Sequence, residues 1–490
     1  MTSLRSQAVA VDEVPPEYVE VAAFFDEFAA VDDHWRHRNR GYHEQLELVY
    51  RFHIPPGASV LEIGCGGGDL LAALRPADGL GVEVSRRMVE LARTRHPGLE
   101  FVQTSGERLA AGRTFDYVIL SDVVPYADDL MTLFATIQRH AHPRTRVIVN
   151  SYSQVWRPLI RLAEMLRLKA RKPVRNWVTS DDVINMLELA GFEVITRTRR
   201  ILLPKRVPLL STLLNGFVAN LWPFNHLCLT HWVVGRPVRT SHRDLSVSVV
   251  CPCRNEAGNI QAAIERLPEL GLATELVFVE GGSTDDTRAE IKRQIAAHPD
   301  RDVSLVVQRG RGKGDAVREG FAAAKHEVLM ILDGDLSVAP EDLAKFYRVL
   351  ADGRAELANG SRLVYDLESG SMRFLNLLGN KLFSVVFRLI VGQRMKDTLC
   401  GTKVLRRNDY ERIAAGRSYF GDFDPFGDFD LLLGAGRFAL RIADVPVRYH
   451  ARTYGTTNIS RFRHGLLLLR MTAFAFWNFR VGIFHRRAAQ

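Results

Sequence analysis

The sequence predicts an α/β protein built as two doubly wound units in tandem. Three observations predict it. Strand-like and helix-like segments alternate in two series along 490 residues, separated by a polar, basic stretch at 236–244. A glycine-rich turn, Gly64-Cys65-Gly66-Gly67-Gly68, follows the first apolar strand of the first series. An acid pair, Asp333-Gly334-Asp335, ends an apolar strand of the second. Such alternation builds parallel sheets covered by helices on both faces.

In chain order, residues 1–20 hold acids and prolines without an apolar core, so a loose leader and no signal peptide are expected. Residues 21–52 read as helical. The first alternation then runs strand 60–63, helix 69–74, strand 79–84, helix 88–95, and strands 100–103, 115–120 and 146–150. A helix is expected over 179–191, capped by Thr179 or Ser180 and stopped by Gly191. Strands near 192–196 and 227–234 complete this sheet. The stretch 207–234 contains no Asp, Glu, Lys or Arg, but its prolines, asparagines and histidines favour a helix and the final strand over a membrane span. The second alternation runs strand 246–250, helix 257–267, strand 276–280, helix 286–297, strand 304–308, helix 315–325, strand 328–332 and helix 341–350. The expected domains are 21–237 and 246–460, joined by a linker at 238–245.

Hydrophobic content of 47% and charged content of 25% are those of a globular protein. The net charge of +9 favours anionic partners such as nucleotide diphosphates, lipid phosphates or a membrane surface. No RNA- or zinc-binding motif is present, so nucleic acid is not an expected partner. Five cysteines, an odd number without framework spacing, point to a reducing compartment.

A glycine-rich turn between strand and helix lets a nucleotide approach the backbone closely. Here the glycines are 64, 66 and 68, and Asp69 stands where a dinucleotide fingerprint needs glycine. Glu83, 21 residues after Glu62, ends the next strand, where an acid can grip ribose hydroxyls. With the strand at 115–120, this first Rossmann-like unit resembles the class I S-adenosylmethionine (SAM)-dependent methyltransferases. The resemblance implies SAM as cofactor, with Glu62, Gly64, Gly66, Gly68 and Glu83 around it and Glu107 beside the adenine. It places Ser121-Asp122 at the methionine end or the acceptor. Methyl transfer needs a base only when the acceptor must lose a proton. The candidates are His43, Asp122 and Tyr126.

Transfer of a sugar from a nucleotide diphosphate releases an anionic leaving group, which a carboxylate-held divalent metal can neutralise. Asp333 and Asp335 offer hard oxygen ligands suited to Mg²⁺ or Mn²⁺. They are accompanied by Arg254-Asn255-Glu256, Glu280-Gly281-Gly282-Ser283 and Gly312-Lys313-Gly314. This second Rossmann-like unit resembles the GT-A fold of family 2 glycosyltransferases, most of all the polyprenyl-phosphate sugar synthases. The resemblance implies that Glu256 and Glu280 hold the nucleoside of a nucleotide-sugar donor, and that Lys313 lies near the diphosphate. Lys403, in Asp397-Thr398-Leu399-Cys400-Gly401-Thr402-Lys403, and Arg452 are expected to close over phosphates, and Asp430 to stand near the acceptor. The turn departs from the family in having Gly281 after Glu280, where two adjacent acids are common.

The segment 461–490 has six arginines and no Asp, Glu or Lys. Arg470 and Arg480 interrupt it, so it reads as a basic amphipathic segment lying on a bilayer rather than a span. Residues 380–391 have a similar mixture. The expected whole is a bifunctional enzyme, peripheral on the cytoplasmic face of a membrane and open to homo-oligomer formation. It joins a sugar to a polyprenyl phosphate and methylates a related sugar or lipid-linked intermediate. The alternative is a soluble or glycan acceptor, with the first unit as a SAM-binding or inactive scaffold.

Overall fold

A computed structural model of the chain describes residues 15–166, 173, 176, 178–238, 242–362, 374–417, 429–450, 454 and 461–484. It divides into two units, one of residues 1–238 with 480–490, the other of residues 239–479.

The first unit is a seven-stranded sheet. Its strands are β1 (Ser59–Ile63), β2 (Asp78–Glu83), β3 (Glu100–Gln103), β4 (Phe115–Ser121), β5 (Ala141–Tyr152), β6 (Phe192–Arg200) and β7 (Thr230–Pro237), in the order β3-β2-β1-β4-β5-β7-β6. The first five strands in that order run parallel; β7 is antiparallel to both β5 and β6. β1 and β4 are almost wholly buried, as strands covered by helices on both faces should be. Leu61, Val82, Val118 and Val149 share one core cluster with Phe134 and Leu187 of the covering helices. β1 pairs with both β2 and β4, so the strand order reverses there, and a crevice opens at the carboxyl ends of β1 and β4.

The second unit is also seven-stranded. It comprises β8 (Val247–Cys253), β9 (Thr274–Glu280), β10 (Asp302–Val307), β11 (Val328–Ile331), β12 (Leu357–Ser361), β13 (Lys403–Arg406) and β14 (Ile442–Pro446), in the order β10-β9-β8-β11-β13-β12-β14. β8 lies parallel between β9 and β11, and β13 enters antiparallel to β11. The reversal at β8 and β11 sets the crevice of this unit, and both acid-bearing turns of interest leave the sheet there.

Three expectations need correction, but residues 21–52 are helical as expected, in three helices, Val19–Phe28, Asp32–Arg38 and Arg40–His53. The break between the last two falls at Asn39, whose side-chain amide bonds back to the carbonyl of Trp35 rather than continuing the helix. The leader is not loose at its end: Tyr18 is buried, with its hydroxyl donating to Glu107 Oε1 at 2.6 Å. Residues 207–229 form short turns of helix rather than one helix before β7.

The basic tail also divides. Helix Arg461–Phe476 belongs to the second unit, whereas residues from Arg480 belong to the first. Met471, Ala475, Phe479, Val481 and Ile483 are buried, because this apolar stripe finds protein instead of lipid. Val481 lies so close to Gly216 that a Cβ on the glycine would come within 2.9 Å of its Cα. Among the described residues, no helix is long and apolar enough to cross a membrane.

Candidate active sites

In the first unit the turn after β1 is built by backbone conformation. Gly64, Gly66 and Gly68 all have positive φ, at 72°, 51° and 76°. A Cβ on Gly64 would also strike Val123, whereas one on Gly66 would meet nothing, so the turn is tight behind and open in front. Glu83, at the end of β2, accepts from the N–H of Gly66 at 3.0 Å, of Val84 at 2.8 Å and of Ser85 at 3.1 Å. Its carboxyl therefore fixes the turn as well as facing the crevice. Burial raises its pKa above the usual carboxylate range despite those three donors.

A cavity of about 220 Å³ opens in front of the turn. Glu62, Glu83, Glu107, His43, Asp122 and Tyr126 all line it, so the structure brings every candidate side chain of the first site to one pocket. Glu62 is buried, and burial pushes its pKa up to about 8. Its Oε2 and the Oε2 of Glu107 are both buried without a hydrogen-bond partner. Orphaned acceptors of this kind are costly unless a ligand donor reaches them. Two such oxygens fit the amino group and adenine or ribose donors of a SAM-like cofactor.

Behind Asp122 stand Tyr42, Asn150, Tyr50 and Tyr152, which carried no sequence signal. Asp122, at φ 55° after β4, accepts from Tyr42 Oη at 2.7 Å and from Asn150 Nδ2 at 2.7 Å. Tyr50 donates in turn to Asn150 Oδ1 at 2.5 Å, and the Tyr42 and Tyr152 rings stack at 5.6 Å. Burial, then Asp122, raises the Tyr42 pKa well above normal, and burial does the same for Tyr126. The amino-terminal helices are pinned across the turn by the ion pairs of Arg36 with Asp69 at 3.1 Å and of Asp32 with Arg95 at 2.8 Å, and Arg95 also meets Asp69 at 3.1 Å. Asp26 adds a bond from Ser85 Oγ at 2.6 Å. Asp69 thus has a structural task where a dinucleotide turn would carry glycine.

In the second unit, Asp333 and Asp335 leave the end of β11. Burial acts to raise the Asp333 pKa, but the Lys313 ammonium, paired with it directly, holds it below the usual range. Asp335 Oδ1 accepts from the N–H and hydroxyl of Ser337 at 3.0 and 2.8 Å. The loop before β13 closes against this pair: a Cβ on Gly401 would run into both Asp333 Oδ2 and Lys313 Nζ. Lys403 is buried and donates to the Cys400 carbonyl at 2.5 Å. Arg362 forks onto Asp397 at 2.7 and 3.0 Å, bracing the start of the same loop. Burial opposes the Arg362 charge, but Asp397 holds its pKa above normal.

Glu256 and Glu280 sit on neighbouring turns after β8 and β9. Glu256 Oε2 accepts from Asn259 at 2.7 Å, and Glu280 Oε1 from the Ser283 N–H at 2.5 Å. Asn255, at φ 58°, ties the turns together by accepting from the Thr284 N–H at 2.8 Å. Lys313, Asp333 and Lys403 are therefore one group, and Glu256 with Glu280 a second. Asp430 is buried at the head of helix Phe429–Arg437 and pairs with Arg417 at 3.4 Å. Arg452 lies outside the described residues. Two carboxylates beside an open crevice fit a divalent ion that takes its other oxygens from a diphosphate and water. The three-residue group Glu275, Asp302 and His326 sits instead at the amino ends of the strands, where Lys325 pairs with both acids.

Comparison with known proteins agrees with both halves. Residues 34–197 match the family model of a methyltransferase domain, and residues 248–414 that of glycosyl transferase family 2. Glycosyltransferase AglJ of Haloferax volcanii is 31% identical over 224 residues, covering 45% of this chain and 68% of that protein. The chain belongs to glycosyltransferase family 2. The undecaprenyl-phosphate 4-deoxy-4-formamido-L-arabinose transferase of Pectobacterium carotovorum is 26% identical, covering 44% of this chain and 63% of its own length. The dolichol-phosphate mannosyltransferase of Pyrococcus furiosus is 26% identical, over 44% and 59%. Coverage of a relative's own length falls to 36% for AglD of H. volcanii, so the family domain is shared but not whole proteins. In this family 2 chain the glycosyltransferase half is preceded by a region that matches a methyltransferase domain.

Proposed function

We propose that the second unit transfers a sugar from a nucleotide-sugar to a polyprenyl phosphate, and that the first methylates a related sugar or lipid-linked intermediate with SAM. The observation that carries the proposal is the convergence of Lys313, Asp333 and the Gly401 loop at the end of β11, on the turn that also carries Asp335. That edge suits a diphosphate. A divalent ion on Asp333 and Asp335 supplies charge neutralisation for the departing nucleotide. Lys313 exchanges its pairing with Asp333 for the diphosphate, and buried Lys403 adds positive potential behind it. Glu256 and Glu280 bound the nucleoside end. A phosphate oxygen of the acceptor attacks the anomeric carbon as the bond to the nucleotide diphosphate breaks. That oxygen is already ionised, so Asp430 acts by placing the acceptor rather than by taking a proton.

In the first unit Glu62, Glu83 and Glu107 hold the cofactor, and the glycine turn admits it. SAM supplies a methyl group on a sulfonium. An acceptor would take that methyl as its bond to sulfur breaks and the neutral thioether departs, and a base on the pocket wall would receive the acceptor's proton. Tyr126 keeps its own proton, and Asp122 is fixed by two donors, so His43 is the group best suited to receive it. Asp122 orients the reacting end.

Peripheral attachment at the cytoplasmic face is supported by exposed Val385, Leu389 and Leu469 beside exposed Arg388 and Arg470 in the second unit. The bacterial and archaeal relatives, by name an undecaprenyl-phosphate and a dolichol-phosphate sugar transferase, support the same acceptor class. The test is a panel of UDP- and GDP-sugars with Mg²⁺ or Mn²⁺ and undecaprenyl phosphate, with lipids analysed by mass spectrometry. A sugar-phosphate lipid is expected, lost in Asp335→Asn, and heavier by one CH₂ where SAM is added and the lipid product is the methyl acceptor. Nucleotide release only with a soluble glycan would reject the lipid acceptor.

A further inference from the structure

The first unit carries an outward-facing apolar surface that the chemistry above does not use. Helix Arg157–Met165, directly after β5, is amphipathic in the inverted sense. Val155, Leu159, Leu162 and Leu166, spaced by one and two helical turns, are all exposed, and Met165 beside them is 80% exposed. Its one acid, Glu164, is on the opposite side and acts electrostatically on Tyr126 of the pocket. A helix of a water-soluble domain normally turns its apolar stripe inward.

Residues 207–227 repeat the inversion. Leu213, Phe217 and Leu221 are exposed at intervals of four, with Leu209 84% and Trp222 79% exposed. The polar side chains point inward instead. Asn215 donates to Gln45 Oε1 at 2.6 Å and accepts from the N–H groups of Leu202 and Leu203 at 2.7 Å. The segment is thereby fastened to helix Arg40–His53, which carries His43 of the pocket. Trp156 Nε1 donates to the Leu227 carbonyl at 2.8 Å and joins the two exposed surfaces. Linked by that bond, the two stretches expose more large apolar side chains than scattered surface residues need explain.

We propose that this face docks the methyltransferase unit onto an anionic bilayer. The charge pattern decides the occupant. The stretch 207–234 has no acid, exposed Arg161 and Lys205 flank the apolar face, and the chain carries a net charge of +9. A second copy would bring like charges together, whereas anionic headgroups complement them. Trp222, exposed on this face, is of a residue type that settles at the headgroup level. The proposal is independent of the sugar-transfer reading, and a chain that transfers no sugar leaves it standing.

The test uses the full chain and a local reporter, since the second unit has its own exposed apolar residues. The emission of Trp222 is the difference between wild type and Trp222→Phe. With vesicles of phosphatidylglycerol and brominated phosphatidylcholine, that emission should fall by about half. Brominated phosphatidylcholine alone should quench it far less. The double variant Leu159→Glu with Leu162→Glu should abolish the quenching while its melting curve and SAM titration match wild type. Unquenched Trp222, or equal quenching in the double variant, overturns the proposal. So does a dimer in light scattering that the double variant dissolves, with no quenching by lipid.

Discussion

A single buried carboxyl shows how the first site is prepared for its ligand. Burial holds the Glu62 pKa at about 8, against 4.5 for the free group, so the side chain is mostly protonated at neutral pH in the empty protein. The linkage has a definite sign. Below about pH 4.5 folded and unfolded chains both hold the proton. Between there and about 8 only the folded chain keeps it, so this group's contribution to stability falls as pH rises, and levels off above 8. Glu62→Gln should remove that slope from thermal melts of the first unit. Its complement is binding: a cationic amino group at Glu62 favours the carboxylate, so SAM binding at pH 7 should release nearly one proton. Calorimetry in buffers of different ionisation enthalpy measures it, and Glu62→Gln should show none. A binding enthalpy independent of buffer in wild type would reject the assignment.

At the level of elements, helix Ser180–Leu189 is the plainest case of sequence chemistry becoming structure. Thr179 forms a full capping box with Asp182: the Asp182 N–H donates to Thr179 Oγ1 at 3.2 Å, and Thr179 N–H donates to Asp182 Oδ2 at 2.7 Å. Thr179→Ala should cost about 1 kcal/mol, seen as a drop of roughly 2–4 °C in the melting of the first unit. An unchanged melt would show that packing against β6 and β7 alone holds the helix. Elements with such local signals were legible. Strand β3 falls at 100–103 as read, and β1, β2, β4, β8, β9, β10 and β11 were each located within a few residues, whereas β14 was not read. What stayed hidden depends on distance in sequence. Tyr18 reaches Glu107 across 89 residues, and Tyr42 reaches Asp122 across 80, with no local pattern to announce either. Helix Arg157–Met165 escaped notice because its apolar residues point outward, so no core requirement marked them. In the second site the acid pair and Lys313 were readable from their turns, but the arrival of Gly401 between them is a tertiary fact.

For the whole molecule, two units with separate cores should melt separately. SAM should raise one transition in calorimetry and leave the other in place, while UDP or GDP with Mn²⁺ should do the reverse. One transition shifted by both ligands would mean that the units unfold together. The path of the chain adds a further consequence. It leaves the first unit at residue 238, completes the second, and returns at Arg480 to place Val481 against Gly216. The glycosyltransferase is therefore an insert within the methyltransferase, in the way a parenthesis sits inside a sentence. During synthesis the methyltransferase fold gains its residues from 480 onward only after the inserted enzyme has been made. Trimming the chain at 479 leaves Lys313, Asp333 and Gly401 of the sugar-transfer crevice in place, yet it takes Val481 from beside Gly216 in the methyltransferase unit.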